Sequence, residues 1–353
     1  MRAPAYPTPV AYKSQRGFTL VELMISLVLG LLLTAVIGYA YLGSRQVFRT
    51  TDTISRMQES ARYVFEKIAY DIRLLGFSGC LSVPPGSSAS ASPALNVLAS
   101  PTTWYTNLFG QPIIGYQNTA PPDVCTTANT SACYLHGDAL TLLRADNSQE
   151  YVVAAHDNIS SPHTITTTAS HNFSDNEILV VADCANAAVF QASTASGTTV
   201  TYTGDLGTTF PASLSRIMPL SAMTYYIGRN SAGEPAVYRE NLKSSGATLA
   251  EEVVEGVQDM HILYGVDTAG TDKTVDAYVT ASAVADWSKV LSVRISLLMV
   301  SRSDESITSG NQPYVFPPDM DTDPGTTAPS PTIPSDRLLR RVFTTTITVR
   351  NRL

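Results

Sequence analysis

Phe18 to Leu42, FTLVELMISLVLGLLLTAVIGYAYL, carries one carboxylate, Glu22, and no other acidic or basic side chain. A helix rises 1.5 Å per residue, so about 20 apolar residues cross a hydrocarbon core of about 30 Å, and this stretch is long enough. The first 17 residues hold Arg2, Lys13 and Arg16 and no acid, which by the positive-inside rule keeps them in the cytoplasm and sends the rest of the chain outward. A cleaved secretory signal would place its small-residue cut site after the apolar run, but Gly17 lies before it. An ordinary membrane anchor has no use for Glu22, since a carboxylate at that depth is costly and calls for a partner.

The helical pattern continues past Leu42. No proline interrupts the chain from there to Phe77, and Val47, Ile54, Ala61, Phe65, Ile68, Ile72 and Leu75 fall on one face. A single helix from Phe18 to Leu75 is therefore expected. Its first half is apolar all round and its second half amphipathic, and Gly76 stands at the left-handed C-cap position. A proline-rich stretch follows, and then short runs rich in Val, Ile, Thr and Tyr, separated by turn residues. Strands are expected at 139–144, 150–154, 177–183, 188–192, 200–203, 223–228, 236–240, 257–266, 290–301 and 341–350. Val293, Ile295, Leu297 and Met299 alternate with polar or smaller residues, as Phe343, Ile347 and Val349 do with threonines, so these two strands are expected to cover the helix stripe. Residues 276–289 are read as holding a short helix, and the proline-rich 304–336 as a long surface loop. The fold class is α+β: a long N-terminal helix packed on an enlarged antiparallel sheet head.

Only 15% of residues are charged and the net charge is -7. With no basic cluster outside 337–341, direct nucleic-acid binding is not expected. Arg337, Arg340 and Arg341 read as a solvated strand edge that discourages sheet aggregation. All four cysteines, Cys80, Cys125, Cys133 and Cys184, follow the apolar segment, where an oxidising compartment permits disulfides. Four cysteines allow three pairings. Cys80 with Cys184 and Cys125 with Cys133 is favoured because the second pair is close in sequence. Metal binding is the rival account, but neither CxxC spacing nor a nearby histidine pair supports it, so no metal and no cofactor is expected. The histidines at 136, 156, 163, 171 and 261 are scattered, and no catalytic or nucleotide-binding fingerprint occurs. Asp319, Asp321 and Asp323 have the spacing of a calcium loop's first ligands, but glycine arrives one place late at Gly325 and Ser330 replaces the bidentate glutamate. The loop is read as solvated and acidic.

Arg16 to Leu23, RGFTLVEL, resembles the class III signal of type IV pilins and type II secretion pseudopilins. The resemblance implies that a prepilin peptidase cuts after Gly17, that Phe18 becomes the methylated amino terminus, and that Glu22 is the assembly acid. Segments 256–268, 286–302 and 337–353 are similar to the corresponding parts of PilW-type minor pilins; residues 85–215 match only loosely, around 179–191.

That family implies a leader at 1–17, a helix at 18–76 (transmembrane over 18–42, amphipathic over 43–76), a variable head region at 77–215, and a sheet region at 216–353 that completes a pilin-like fold. It further implies a non-enzymatic protein in the inner membrane, N-in with a periplasmic head. Such a chain joins other minor pilins and the major pilin to prime type IV pilus assembly, and sits at the pilus tip beneath an adhesin, serving motility and adhesion. A large minor pseudopilin of type II secretion is the alternative, and a membrane-anchored periplasmic hydrolase the remote one.

Overall fold

The computed structural model describes residues 17–80, 94–97, 108–122, 124–127, 130–242, 249–269, 273–302, 313–316 and 331–349. The basic residues Arg2, Lys13 and Arg16 and the acidic loop at Asp319, Asp321 and Asp323 lie outside them. Two compact units emerge, Met1–Thr53 and Ile54–Leu353.

One helix, α1 (Leu20–Arg73), runs through both units without a break. In the first unit the apolar side chains from Phe18 to Phe48 are exposed. In the second, Met57, Ala61, Val64, Ile68, Ala69, Ile72 and Leu75 are buried at spacings of three and four, the geometry of one helix face. The expected stripe was therefore right in its later half and offset earlier. Val47 is 67% exposed and Ile54 and Phe65 are half-buried, while Met57 and Val64 take the inward places. Burying each of the larger side chains contributes about 1.5–3 kcal/mol. The regular helix closes at Arg73, and a last turn through Leu74 and Leu75 reaches Gly76, whose φ of +67° is left-handed as expected. Its N–H turns away from the helix to donate to the Leu143 carbonyl at 2.8 Å, so the C-cap is also the first stitch into the head.

The head is built from β1 (Ala94–Val97), β2 (Ile113–Tyr116), β3 (Tyr134–Ala145), β4 (Tyr151–Asp157), β5 (His163–Thr167), β6 (Ile178–Ala182), β7 (Ala187–Ser196), β8 (Thr199–Tyr202), β9 (Arg216–Arg229), β10 (Pro235–Leu242), β11 (Leu249–Glu255), β12 (Val257–Val266), β13 (Ala277–Val279), β14 (Val290–Val300) and β15 (Arg340–Thr348). The first eleven form one sheet, in which β9 is the hub and pairs with β3, β4, β6 and β10. The last four form a second sheet in the order β13-β12-β14-β15. Every pairing is antiparallel except β1 with β7.

Both sheets contribute to the core that holds the helix. Val293, Ile295, Leu297 and Met299 of β14 and Ile347 and Val349 join the buried helix stripe as expected, and so do Leu140, Met223, Tyr225 and Val237 of the larger sheet. The two segments expected to cover the helix thus supply only part of its cover, which β12 and the larger sheet complete. A separate core around Phe190, Tyr202 and Phe210 fills the part of the head formed by residues 151–217.

The short helix expected in 276–289, before Trp287, takes the form of a single 3-10 turn at Ala281–Ala283. That stretch holds β13 and two single 3-10 turns, Ala281–Ala283 and Trp287–Lys289. Asp286 accepts from the Ser288 N–H at 2.9 Å, which closes the second turn, and the Trp287 ring packs edge-on against Tyr264.

Candidate functional site

The N-terminal end of α1 is the first place where the sequence directs attention. Gly17 has open space where a side chain would stand, and Phe18 is 88% exposed. Glu22 bends back to its own helix start: its Oε2 accepts from the Thr19 N–H at 3.2 Å and the Thr19 hydroxyl at 3.1 Å, while the Glu22 N–H donates to Thr19 Oγ1 at 3.3 Å. This is a reciprocal capping box, which satisfies the first free N–H groups of the helix. The T-x-x-E spacing of such a box is written in the sequence at Thr19 and Glu22. Among the described residues the carboxylate is bonded at its own helix terminus, where the dipole favours a negative charge.

From Leu23 to Leu42 the helix carries no charged side chain, and the hydroxyls of Ser26 and Thr34 turn back onto the Glu22 and Gly30 carbonyls. One helix in the described residues is long and apolar enough to cross a membrane, and its spanning window is wholly exposed. Exposed side chains such as Leu27, Leu31, Leu32 and Ile37 need lipid or other helices around them.

A second constellation lies in the other unit, where the helix meets the sheets. Asp71, 1% exposed, accepts from the Tyr225 hydroxyl at 2.6 Å and from Arg239 Nε at 3.0 Å, with Arg144 Nε at 3.6 Å. Burial, with the Asp71 charge beside it, pushes the Tyr225 hydroxyl well above its ordinary range, so it stays a donor. One helical carboxylate is thereby held by residues from β3, β9 and β10. Its fixed geometry, enclosed by packed side chains, suits holding rather than chemistry.

Disulfides join Cys80 to Cys184 and Cys125 to Cys133, with Cα atoms 4.7 Å and 4.6 Å apart. The first ties the chain leaving the helix to the turn between β6 and β7.

The histidines are less scattered than the sequence suggested. The Phe210 N–H donates to His156 Nδ1, which leaves the proton on Nε2 for the Tyr202 hydroxyl at 2.6 Å, and that hydroxyl donates to Asn158. Burial, with His163 nearby, lowers the His156 pKa. His261 Nδ1 lies 2.9 Å from Asp138, and His136 lies 3.6 Å from Asp259, linking β3 to β12. Packing of β3 in one sheet against β12 in the other brings these last two pairs together from positions more than a hundred apart in the chain. Among the described residues no group of three or more His, Cys, Asp or Glu side chains is placed to hold a metal ion.

Arg340 also departs from the solvated edge expected of it. Its guanidinium is 6% exposed and paired with Asp336, and Nε donates to Gln258 at 2.7 Å.

A long apolar N-terminal helix followed by a large antiparallel sheet head is the α+β arrangement of a pilin-like protein. Residues 12–38 match the prokaryotic N-terminal methylation motif, and residues 224–351 match the family described as type IV pilus-assembly protein W. The resemblance to PilW-type minor pilins therefore rests on both ends of the chain, and it supports a minor-pilin role that is structural rather than enzymatic. No curated protein and no solved structure matches.

Proposed function

We propose that this chain is a minor pilin that enters the inner membrane N-in, with its head in the periplasm, and is cut after Gly17 by a prepilin peptidase. Residues 1–17 are then the leader, 18–76 the helix, and 77–215 and 216–353 the two parts of the head. The released Phe18 is methylated, and the subunit joins other minor pilins and the major pilin to prime type IV pilus assembly. It takes a place at the tip beneath an adhesin.

The observation that carries this reading is a wholly exposed apolar segment whose single carboxylate, among the described residues, is bonded at its own helix terminus. Cutting at Gly17 makes an ammonium on Phe18. In a bundle of such helices, that ammonium and the Glu22 carboxylate of a neighbour form a charge-assisted pair in a low dielectric. The exchange of a capping contact within one chain for a pair between chains then sets the axial register of the subunit. A large minor pseudopilin of type II secretion would use the same leader and helix. The match of residues 224–351 to the pilus-assembly family favours the pilus.

Glu22→Ala tests the pairing. Leaving one partner of a buried ion pair unmatched costs about 3–5 kcal/mol. The variant should run on a gel at the processed length yet fall to background in sheared pili. Normal incorporation would contradict the pairing. Gly17→Phe should instead leave an uncut precursor.

A further inference from the structure

β15 is the last strand of the four-stranded sheet and, among the described residues, pairs only with β14. The ladder fixes which of its backbone groups face away. The Val349 N–H donates to the Leu291 carbonyl at 2.8 Å, the Ser301 N–H donates to Leu339 at 2.9 Å, and the register between them runs without a shift. Residues bonded inward alternate with residues facing outward in an antiparallel pair. Odd-numbered positions of β15 therefore bond to β14, and Val342, Thr344, Thr346 and Thr348 present their N–H and C=O groups outward.

A groove of about 830 Å³ runs beside this row, with Thr345 and Ile347 on one wall and Gln58, Arg62, Phe65 and Arg73 of α1 on the other. That volume is in the range of built binding clefts. Where α1 approaches, the small side chains of Ala61 and Ala69 leave the room. From Val342 to Val349 the strand has no charge, no proline and no bulge, the devices that usually blunt a free edge. Arg340, which could have guarded the edge, is drawn back onto Asp336.

Charge selects among occupants. Arg62 and Arg73 outnumber Glu66 on the helix wall, and the Arg62–Glu66 pair is 79% and 64% exposed, too solvated to hold the guanidinium against a better partner. We propose that the free edge of β15 receives an extended segment of a neighbouring pilin subunit as a fifth strand. That segment is rich in small or β-branched residues, with carboxylates directed to Arg62 and Arg73. Main-chain bonds to Thr344, Thr346 and Thr348 give the affinity, and the half-buried Phe65 and Phe343 give an apolar seat for one side chain. The inference rests on the pilus reading above, and its test separates the two.

A photocrosslinking amino acid is placed in the full-length protein in piliated cells, at Gln58 on the groove wall or, as a reference, at Leu31 in the apolar helix. Adducts are identified by mass spectrometry. The proposal expects Gln58 to capture a different pilin through an extended peptide. Thr346→Pro, which deletes one outward N–H, should lower that adduct about tenfold relative to Thr346→Val, the equivalent of one or two strand hydrogen bonds. If Thr346→Pro reduces the amount of protein, the charge-reversed pair R62E/R73E replaces it, with the same loss expected. Capture at Leu31 but not at Gln58 overturns the groove and leaves the pilus reading standing. Capture at neither position overturns both. A Gln58 adduct with a second copy of this chain or with a non-pilin protein overturns the partner, and one insensitive to these substitutions overturns the strand.

Discussion

Asp336 and Glu22 are both carboxylates near the start of an element, and their surroundings set them to different tasks. The Arg340 guanidinium, bonded to Asp336, holds that carboxyl down at about 2, against a partial opposing effect of burial. A folded-state pKa below its ordinary value means stability that is full above the ordinary carboxylate range and lost as pH falls through about 2. Acid unfolding of the purified protein should therefore steepen below about pH 4. In Arg340→Met this contribution should be missing, and an unchanged pH slope in the variant would contradict the pairing. Glu22 was legible in the sequence because a lone acid in an apolar run is costly and calls for a partner. Its contact with Thr19 was equally written there, in a spacing of three.

At the scale of elements, α1 was readable almost to the residue, because apolar spacing, the absence of proline and a terminal glycine all agree. What the spacing could not supply is what grips the helix. Tyr225 and Arg239 lie 154 and 168 residues from Asp71, and only sheet topology brings them to it. Asp71→Ala would take from the buried Arg144 and Arg239 the carboxylate they share, leaving them the pairs to Asp146 at 3.5 Å and Glu251 at 3.8 Å, so it should cost about 3–5 kcal/mol. Denaturant unfolding in detergent measures this, and a loss under about 1 kcal/mol, the scale of a surface pair, would contradict the account. The strands that escaped the sequence reading did so for local reasons. β11 carries Glu251, Glu252 and Glu255, too acidic to read as a strand, yet Glu251 approaches Arg239 of β10 and Glu252 accepts from Asn230. β13 is three residues long and lies in a run whose alanines suggested a helix.

On the scale of the whole molecule, the two units pose separate physical problems. Ile54–Leu353 buries its own core and closes it with two disulfides. On the chain-entropy account, closing separations of 104 and 8 residues contributes about 4.8 and 2.6 kcal/mol. Met1–Thr53 has no such core, since its described apolar side chains are exposed. A chain with this division needs first a bilayer and then other helices, and on the proposed reading the amine that meets Glu22 comes from cutting the leader away. The measurement that tests this most directly is the mass of the N-terminal peptide of this subunit, isolated from assembled pili and digested. The account predicts a peptide that begins at methylated Phe18, and a peptide that still begins at Met1 would contradict it.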